Sequence, residues 1–154
     1  MTTPNKFAVL LKPTEEQPAL DRAAQYARVD PSISVVAVKV VNDYKEENVE
    51  QLTLKEKANF EMLKRKYASI QNFDFKVVFD KNVAEGFNAE CKNDNYSLAV
   101  ISANKRHALK DLFISNVDSQ IMRKCSIPLL VVRDASSTAT LGQSVTLAIH
   151  FTDA

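Results

Sequence analysis

The sequence predicts a doubly wound α/β domain with a five-stranded parallel sheet of order 3-2-1-4-5, helices on both faces and an extra C-terminal strand. Short apolar runs such as residues 98–102 are typical of strands buried on both faces of a parallel sheet. Between them lie longer segments in which apolar residues recur every three or four positions, as in amphipathic helices. Alternating strands and helices form parallel sheets with right-handed crossovers, which place helices on both faces.

The first strand and the first helix are delimited by prolines. Residues 7–11 form a short apolar run that Pro13 closes. Thr14–Gln17 fits the S/T-x-x-E/Q capping pattern, and Pro18 suits the first turn of a helix. Apolar residues then recur at helical spacing, at Leu20, Ala23, Ala24 and Ala27.

The second strand and helix follow a β-branched run. Residues 33–41 are almost wholly apolar and favour a strand. From about residue 49 to residue 70, one helical stripe carries Leu52, Phe60, Leu63, Tyr67 and Ile70. The basic run Lys64–Lys66 is either a nucleic-acid patch or the solvated face of this helix. Acidic residues interleaved upstream favour the solvated face.

Three more strands and two helices complete the alternation. Residues 73–79 alternate in part, as a strand near a sheet edge does. Asn82 and Glu85 repeat the capping pattern before another apolar helical face. The remaining elements are the fourth strand at 98–102, a helix from about Ser115 or Asn116, and the fifth strand at 129–133.

The first domain is expected to span residues 1–134. Residues 135–143 are small and polar and contain one of the chain's two glycines, as a linker does. Residues 144–154 return to an apolar strand pattern with no helix after it. We interpret this segment as an extra strand, which has the pattern expected if a second, truncated repeat begins here.

The composition indicates one globular domain without a strong electrostatic field. A chain of 154 residues can form one core, and a formal net charge of +1 gives no general attraction to nucleic acid or anionic membranes. No apolar run reaches the length of a membrane span, and the N-terminus lacks a signal-peptide pattern. We therefore expect a cytoplasmic protein with no nucleic-acid or membrane partner. Cys91 and Cys125 fall on apolar helix faces and are interpreted as small core residues in a reducing compartment.

Over residues 6–133 the sequence resembles the universal stress protein family. The resemblance is carried by residues 7–11 with Glu16–Ala23, by the strand at 98–102 and by Ile121–Arg133. The last piece is the most specific, because a helix ending in Arg-Lys-Cys precedes a proline and a strand of the form P-x-L-V-V. The resemblance implies the doubly wound fold and a role in the stress response.

Two shorter pieces resemble one subgroup of this family. Gln17–Leu20 and Arg123–Cys125 are similar to the first half of tandem members, in which two such domains lie in one chain. On this interpretation the chain is a fragment or the product of a shortened gene, and residues 141–154 begin a second repeat. The alternative is a single-domain member with a divergent tail.

The resemblance also bears on nucleotide binding. Members that bind ATP carry G-x-x-G-x9-G-[ST] after the fourth strand, because phosphates approach backbone N–H groups where a Cβ would obstruct them. A gapless alignment puts other residues at those four positions: Ser102, Lys105, Ser115 and Asn116. The usual aspartate after the first strand is replaced by Lys12. We therefore predict no family-type ATP binding, no cofactor and no ATP hydrolysis.

A basic loop after the fourth strand is the candidate replacement for the glycine motif. The candidate ligand-binding residues are Lys12, Ser102, Asn104, Lys105, Arg106, Ser115 and Asn116, with His107 and Lys110 nearby. As a hypothesis, they gather at the carboxyl ends of the first and fourth strands and bind a small anionic ligand through side chains. The alternative is a solvated basic loop in which Ser115 and Asn116 only cap the next helix.

Catalysis has little support in the sequence. His107 and His150 are the only histidines. A Ser-His-Asp triad would need His107 beside Ser102 or Ser115, with a buried aspartate behind it, and nothing in the spacing requires that arrangement. We predict no catalytic residue and no metal site.

Association is the remaining function. In the family the fifth strand pairs with its counterpart on another domain, and the resemblance implies this for Leu129, Leu130, Val131, Val132 and Arg133. An apolar edge strand promotes aggregation unless it is paired or covered. We predict a homodimer through this strand; the strand at Val145–Phe151 is the alternative partner.

The predicted function is a stress-response module without ATP binding that acts through dimerisation and a small anionic ligand. One alternative is a nucleotide-binding stress protein that uses the basic loop. A further alternative is an enzyme related to the adenine-nucleotide-binding branch of this fold.

Overall fold

The computed structural model describes residues 5–103, 116–132 and 146–148, and strands and helices alternate along them. The strands are β1 (Lys6–Leu10), β2 (Ser34–Val41), β3 (Asn72–Phe79), β4 (Leu98–Ser102), β5 (Leu129–Val132) and β6 (Thr146–Ala148). The helices are α1 (Pro18–Val29), α2 (Val49–Lys66), α3 (Val83–Asn93) and α4 (Asn116–Lys124), with a 3-10 turn at Glu46–Asn48 before α2. No helix in this part of the chain has the length and apolar character needed to cross a bilayer.

The strands form one sheet in the order β3-β2-β1-β4-β5-β6. β1 to β5 are parallel, whereas β6 runs antiparallel to β5, with Leu130 opposite Leu147. The predicted fold class and the order 3-2-1-4-5 are therefore confirmed. The predicted linker, residues 135–143, lies outside the described residues.

Alternate residues of the central strands pack on opposite faces of the sheet. In β1, Phe7 and Val9 belong to a cluster with the buried residues of α1 and α2. Ala8 and Leu10 belong to a second cluster with the buried residues of α3 and α4. Strand residues alternate in direction, so one apolar run supplies both cores and helices cover both faces.

Helix α3 lies very close to the sheet because it carries Gly86. A Cβ at this position would lie 2.9 Å from the Cβ of Asp80 and 3.0 Å from Cγ1 of Val40. The predicted cap of this helix is confirmed, since the Asn82 side chain accepts a hydrogen bond from the backbone N–H of Glu85 at 3.0 Å.

The capping prediction for the first helix is wrong. Helix α1 begins at Pro18, and the hydroxyl of Thr14 donates to the carbonyl oxygen of Glu16 at 3.0 Å. Residues 14–17 therefore form part of the loop between β1 and α1. The pattern failed because Gln17, its last residue, bonds back to the loop and does not enter the helix.

Candidate ligand-binding site

One buried amide organises the loop between β1 and α1. The Gln17 side chain is 5% exposed, and its Oε1 accepts a hydrogen bond from the backbone N–H of Lys12 at 2.9 Å. Its Nε2 donates to the carbonyl oxygens of Lys12 at 2.8 Å and Thr14 at 2.7 Å. Because all three bonds go to loop backbone, they hold Lys12 in a defined position just beyond the end of β1.

Ser102, the last residue of β4, is bonded to the start of α1. Its Oγ accepts a hydrogen bond from the backbone N–H of Ala19 at 2.9 Å, and the residue is only 6% exposed. Ala19 is the second residue of α1, whose first N–H groups have no partner within the helix. The serine at the first glycine position thus satisfies a backbone donor and joins β4 to α1.

A cleft of about 570 Å³ lies at the carboxyl ends of β1 and β2. Its walls come from the β1–α1 loop, from β2 and from the side of α2. The lining residues are Leu11, Lys12, Pro13, Thr14, Glu15, Gln17, Lys39, Glu56, Asn59, Met62, Leu63 and Lys66. Small-molecule sites have volumes of about 300–1,000 Å³, and the volume of this cleft falls within that range.

Three lysines define the charge of the cleft. Lys12, Lys39 and Lys66 line it together with the carboxylates of Glu15 and Glu56, which leaves one net positive charge. Across residues 5–103, 116–132 and 146–148, none of these lysines is in an ion pair. Unpaired ammonium groups beside an apolar wall suit a small ligand with an anionic group.

The structure brings together only part of the predicted site. Lys12 and Ser102 lie at the ends of the adjacent strands β1 and β4, as expected, but Ser102 does not line the cleft. Asn116 is the first residue of α4. Asn104, Lys105, Arg106 and Ser115 lie outside the described residues, as do His107, Lys110 and His150.

The predicted interface strand is β5. Leu129, Leu130, Val131 and Val132 form it, and Arg133 lies outside the described residues. One edge of β5 pairs with β4 and the other with three residues of β6. In the described structure β5 thus pairs with β6 of the same chain, which lies in the C-terminal strand predicted as the alternative partner.

Sequence reasoning missed Lys39 and Lys66 as members of the cleft. Lys39 is the one charged residue in the apolar run 33–41. A charged residue near the carboxyl end of a buried strand could have indicated a member of the site. Lys66 was assigned to the solvated face of α2, and it is exposed there, as are Lys64 and Arg65. Only the path of α2 across the sheet brings Lys66 to the cleft.

The family is decided by a match of residues 7–133 to the model of the universal stress protein family. This chain belongs to the universal stress protein family. The matched range agrees closely with residues 6–133, over which the sequence shows the resemblance. It begins at the second residue of β1 and contains β2 to β5 and helices α1 to α4.

One curated relative is the universal stress protein E homolog of Haemophilus influenzae. The two are 27% identical over 146 aligned residues, which cover 84% of this chain and 47% of the relative. This universal stress protein chain therefore spans about half the length of the curated relative that it matches.

Solved structures share the fold at low sequence identity. Universal stress protein UspA from Lactobacillus plantarum superposes with a TM-score of 0.65 at 14% identity, over 86% of this chain and 100% of that one. A universal stress protein in complex with cAMP superposes with a TM-score of 0.59 at 15% identity, over 86% and 99% of the two chains. At these identities the likeness concerns the fold.

Proposed function

We propose that this chain is a cytoplasmic stress-response module that binds a small anionic ligand in the cleft between the β1–α1 loop and α2. The cleft carries the proposal, because three lysines without ion-pair partners in the described structure line a pocket with an apolar wall. The proposed activity is binding and not catalysis, since Lys12, Lys39 and Lys66 supply charge and hydrogen-bond donors but no nucleophile paired with a base.

We further propose that the module does not hold ATP in the manner of the glycine-containing members. Ser102 occupies the first glycine position, and its side chain is buried against α1 with its oxygen bonded to Ala19. A phosphate that approached the backbone here would meet a Cβ and a hydroxyl oxygen that already accepts a hydrogen bond. The anionic group is therefore expected to contact lysine side chains.

A nucleotide bound through side chains is the second candidate function. It is supported by the apolar residues Leu11, Met62 and Leu63, which give the cleft a surface suited to a base, and by the neighbour of the same fold that binds cAMP. Both candidates need Lys12, so they differ in the ligand and not in the residue tested.

A thermal-shift series separates the two candidates. Inorganic phosphate, acetyl phosphate, ATP and AMP are each added to the purified chain, and the melting temperature is recorded. A ligand at about 100 times its Kd stabilises the folded state by about 2.7 kcal/mol, which gives a measurable rise in Tm. We expect phosphate or acetyl phosphate to raise Tm, and Lys12→Ala to abolish the rise.

Lys57→Ala is the matched control, because Lys57 is an exposed lysine of α2 outside the cleft lining. It should leave the response unchanged. A Lys12-dependent rise with AMP and ATP alone would establish the nucleotide candidate in place of the first. No response to any of the four compounds would overturn both.

We also propose that two copies associate through the edge of the sheet at β5. Support comes from β5 itself, whose apolar residues pair on their outer edge, within the described residues, with the three residues of β6. Pairing of β5 between copies requires β6 to leave this edge or to be exchanged between them.

A charge at Val131 tests this association. Val131 lies in β5 opposite Thr146, and its side chain packs against the apolar cluster on the face covered by α3 and α4, so Val131→Lys places an ammonium group on this face beside the pairing edge. We expect sedimentation velocity to show a dimer for the wild type and monomer or aggregate for this variant. Lys57→Ala again serves as the control. An unchanged dimer for Val131→Lys would exclude β5 as the interface.

A further inference from the structure

The two cysteines of the chain meet between α3 and α4. Cys91 lies in α3, and Cys125 follows the last residue of α4, where its N–H donates to the carbonyl oxygen of Ile121 at 2.8 Å. Cys91 is 2% exposed and Cys125 is 0% exposed, and both belong to the apolar cluster on this face of the sheet. Neither is in a disulfide.

The two thiols lie close enough to perturb each other. Each shifts the pKa of the other, and the thiol of Cys125 also donates to the carbonyl oxygen of Ile127, with the sulfur and the oxygen 3.4 Å apart. The sequence predicts two separate core residues, and only the packing of α3 against α4 makes them a pair. A disulfide between adjacent thiols requires little backbone movement.

We propose that Cys91 and Cys125 are an oxidisable dithiol, which hydrogen peroxide converts into an intramolecular disulfide between α3 and α4. This is a modification site separate from the ligand cleft, and it does not depend on what the cleft binds.

The interaction between the two thiols gives them different roles. It raises the pKa of Cys91, as burial also does, and it lowers the pKa of Cys125. Cys125 is therefore the thiol that ionises first and reacts with the oxidant, because the thiolate is the nucleophilic form. Cys91 is the thiol that closes the disulfide.

The chemistry balances in two steps. The thiolate of Cys125 attacks one oxygen of the peroxide, the O–O bond breaks, and the departing hydroxide takes up the proton that Cys125 released, which gives a sulfenic acid and water. The sulfur of Cys91 then attacks the sulfur of Cys125. The S–O bond breaks, and the hydroxide that leaves takes the proton of Cys91. Two thiols are oxidised, one peroxide is reduced, and two waters form.

Local opening supplies the access that the reaction needs. Cys125 lies at the end of a helix, and the next residue, Ser126, is exposed. A helix end opens at lower free energy than the centre of a strand, so peroxide reaches Cys125 without global unfolding. The disulfide would link the end of α4 to α3.

Intact-mass analysis of the full chain tests the proposal. Protein is treated with hydrogen peroxide, denatured in N-ethylmaleimide, and weighed. We expect a species that is two hydrogen atoms lighter than the starting chain and carries no maleimide, with a peptide linking Cys91 to Cys125 after digestion. Dithiothreitol should restore two maleimide-reactive thiols.

Two variants identify the order of reaction. Cys91→Ser should stop at a sulfenic acid on Cys125 that dimedone labels, whereas Cys125→Ser should show at least tenfold less dimedone labelling at Cys91. Circular dichroism checks that each variant is folded. If a variant does not fold, the mass of the peroxide-treated wild-type chain decides whether the disulfide forms. Two alkylated thiols after peroxide, a disulfide between chains, or sulfinic acid without an internal link would each overturn the proposal.

Discussion

Helices α1 and α2 cover the same face of the sheet, yet they are buried to very different degrees. Seven of the 12 residues of α1 are buried, whereas Phe60 is the one buried residue among the 18 of α2. Both contribute to one apolar cluster. α1 packs against β1, β2, β4 and β5, while α2 packs mainly against β3 at the edge of the sheet. The helix over the centre of the sheet is therefore buried more than the helix over its edge.

The side chains of the two helices match their positions. Over the centre of the sheet, α1 uses alanines at positions 19, 23, 24 and 27, which permit a close approach of the backbone. Over the edge, α2 packs on the sheet through Phe60. The Phe60 ring stacks on Phe75 with centroids 4.7 Å apart and contacts Phe73 edge-on with centroids 5.0 Å apart. The remainder of α2 faces solvent and the ligand cleft.

The largest expected effect compares one leucine in each helix. Leu20 of α1 is 0% exposed, and Leu54 of α2 is 68% exposed. Leu20→Ala should lower the free energy of unfolding by about 2–5 kcal/mol, because it opens a cavity in the core. Leu54→Ala, its matched control, should change it by less than about 0.5 kcal/mol. Urea unfolding followed by circular dichroism measures both. Equal losses would show that the two helices contribute alike.

A smaller effect is expected at the contact that joins the two helices. The hydroxyl of Tyr67, directly after α2, donates to Oδ1 of Asp21 on α1 at 2.6 Å. Tyr67→Phe should cost about 1.5–3 kcal/mol, the range for hydrogen bonds to charged groups. The control is Tyr26→Phe on α1, since Tyr26 packs on Phe7 and makes no hydroxyl hydrogen bond among the described residues. Similar losses for both variants would mean that the Asp21 bond does not anchor α2.

This contact also predicts a pH dependence. Burial and the hydrogen bond to Asp21 raise the pKa of Tyr67 above its ordinary value. The stability that Tyr67 contributes is therefore complete below an unfolded-state pKa of about 10, and it is lost as the pH rises toward the folded-state pKa. Between about pH 9 and about pH 11, the wild type should lose more stability than Tyr67→Phe. Parallel pH profiles would contradict the role assigned to this hydroxyl.

Much of the fold was predictable because its signals are local. The cap at Asn82 and the proline at the start of α1 set helix starts, and apolar runs identify β1, β2 and β4 within a residue or two. The predicted stripe is confirmed in part: Phe60, Tyr67 and Ile70 are buried, whereas α2 itself ends at Lys66. The Thr14 cap failed because Gln17 has competing backbone partners in the loop.

The candidate site was less predictable because its parts come from separate elements. Lys12 was identified from the end of β1, but Lys39 and Lys66 join it only through the packing of β2 and α2. Ser102 was expected to face a ligand, and its bond to Ala19 depends on how α1 crosses the sheet. No local pattern encodes these neighbours.

The amino-acid sequence by itself determined the order of strands and helices, the family and the basic character of the strand ends, because periodicity, caps and family motifs are properties of short segments. The tertiary structure alone decided which helix is buried, which lysines share a cleft, that β6 pairs with β5, and that Cys91 meets Cys125. Those facts are distances between residues far apart in the chain, and only the packing of helices on a sheet sets such distances.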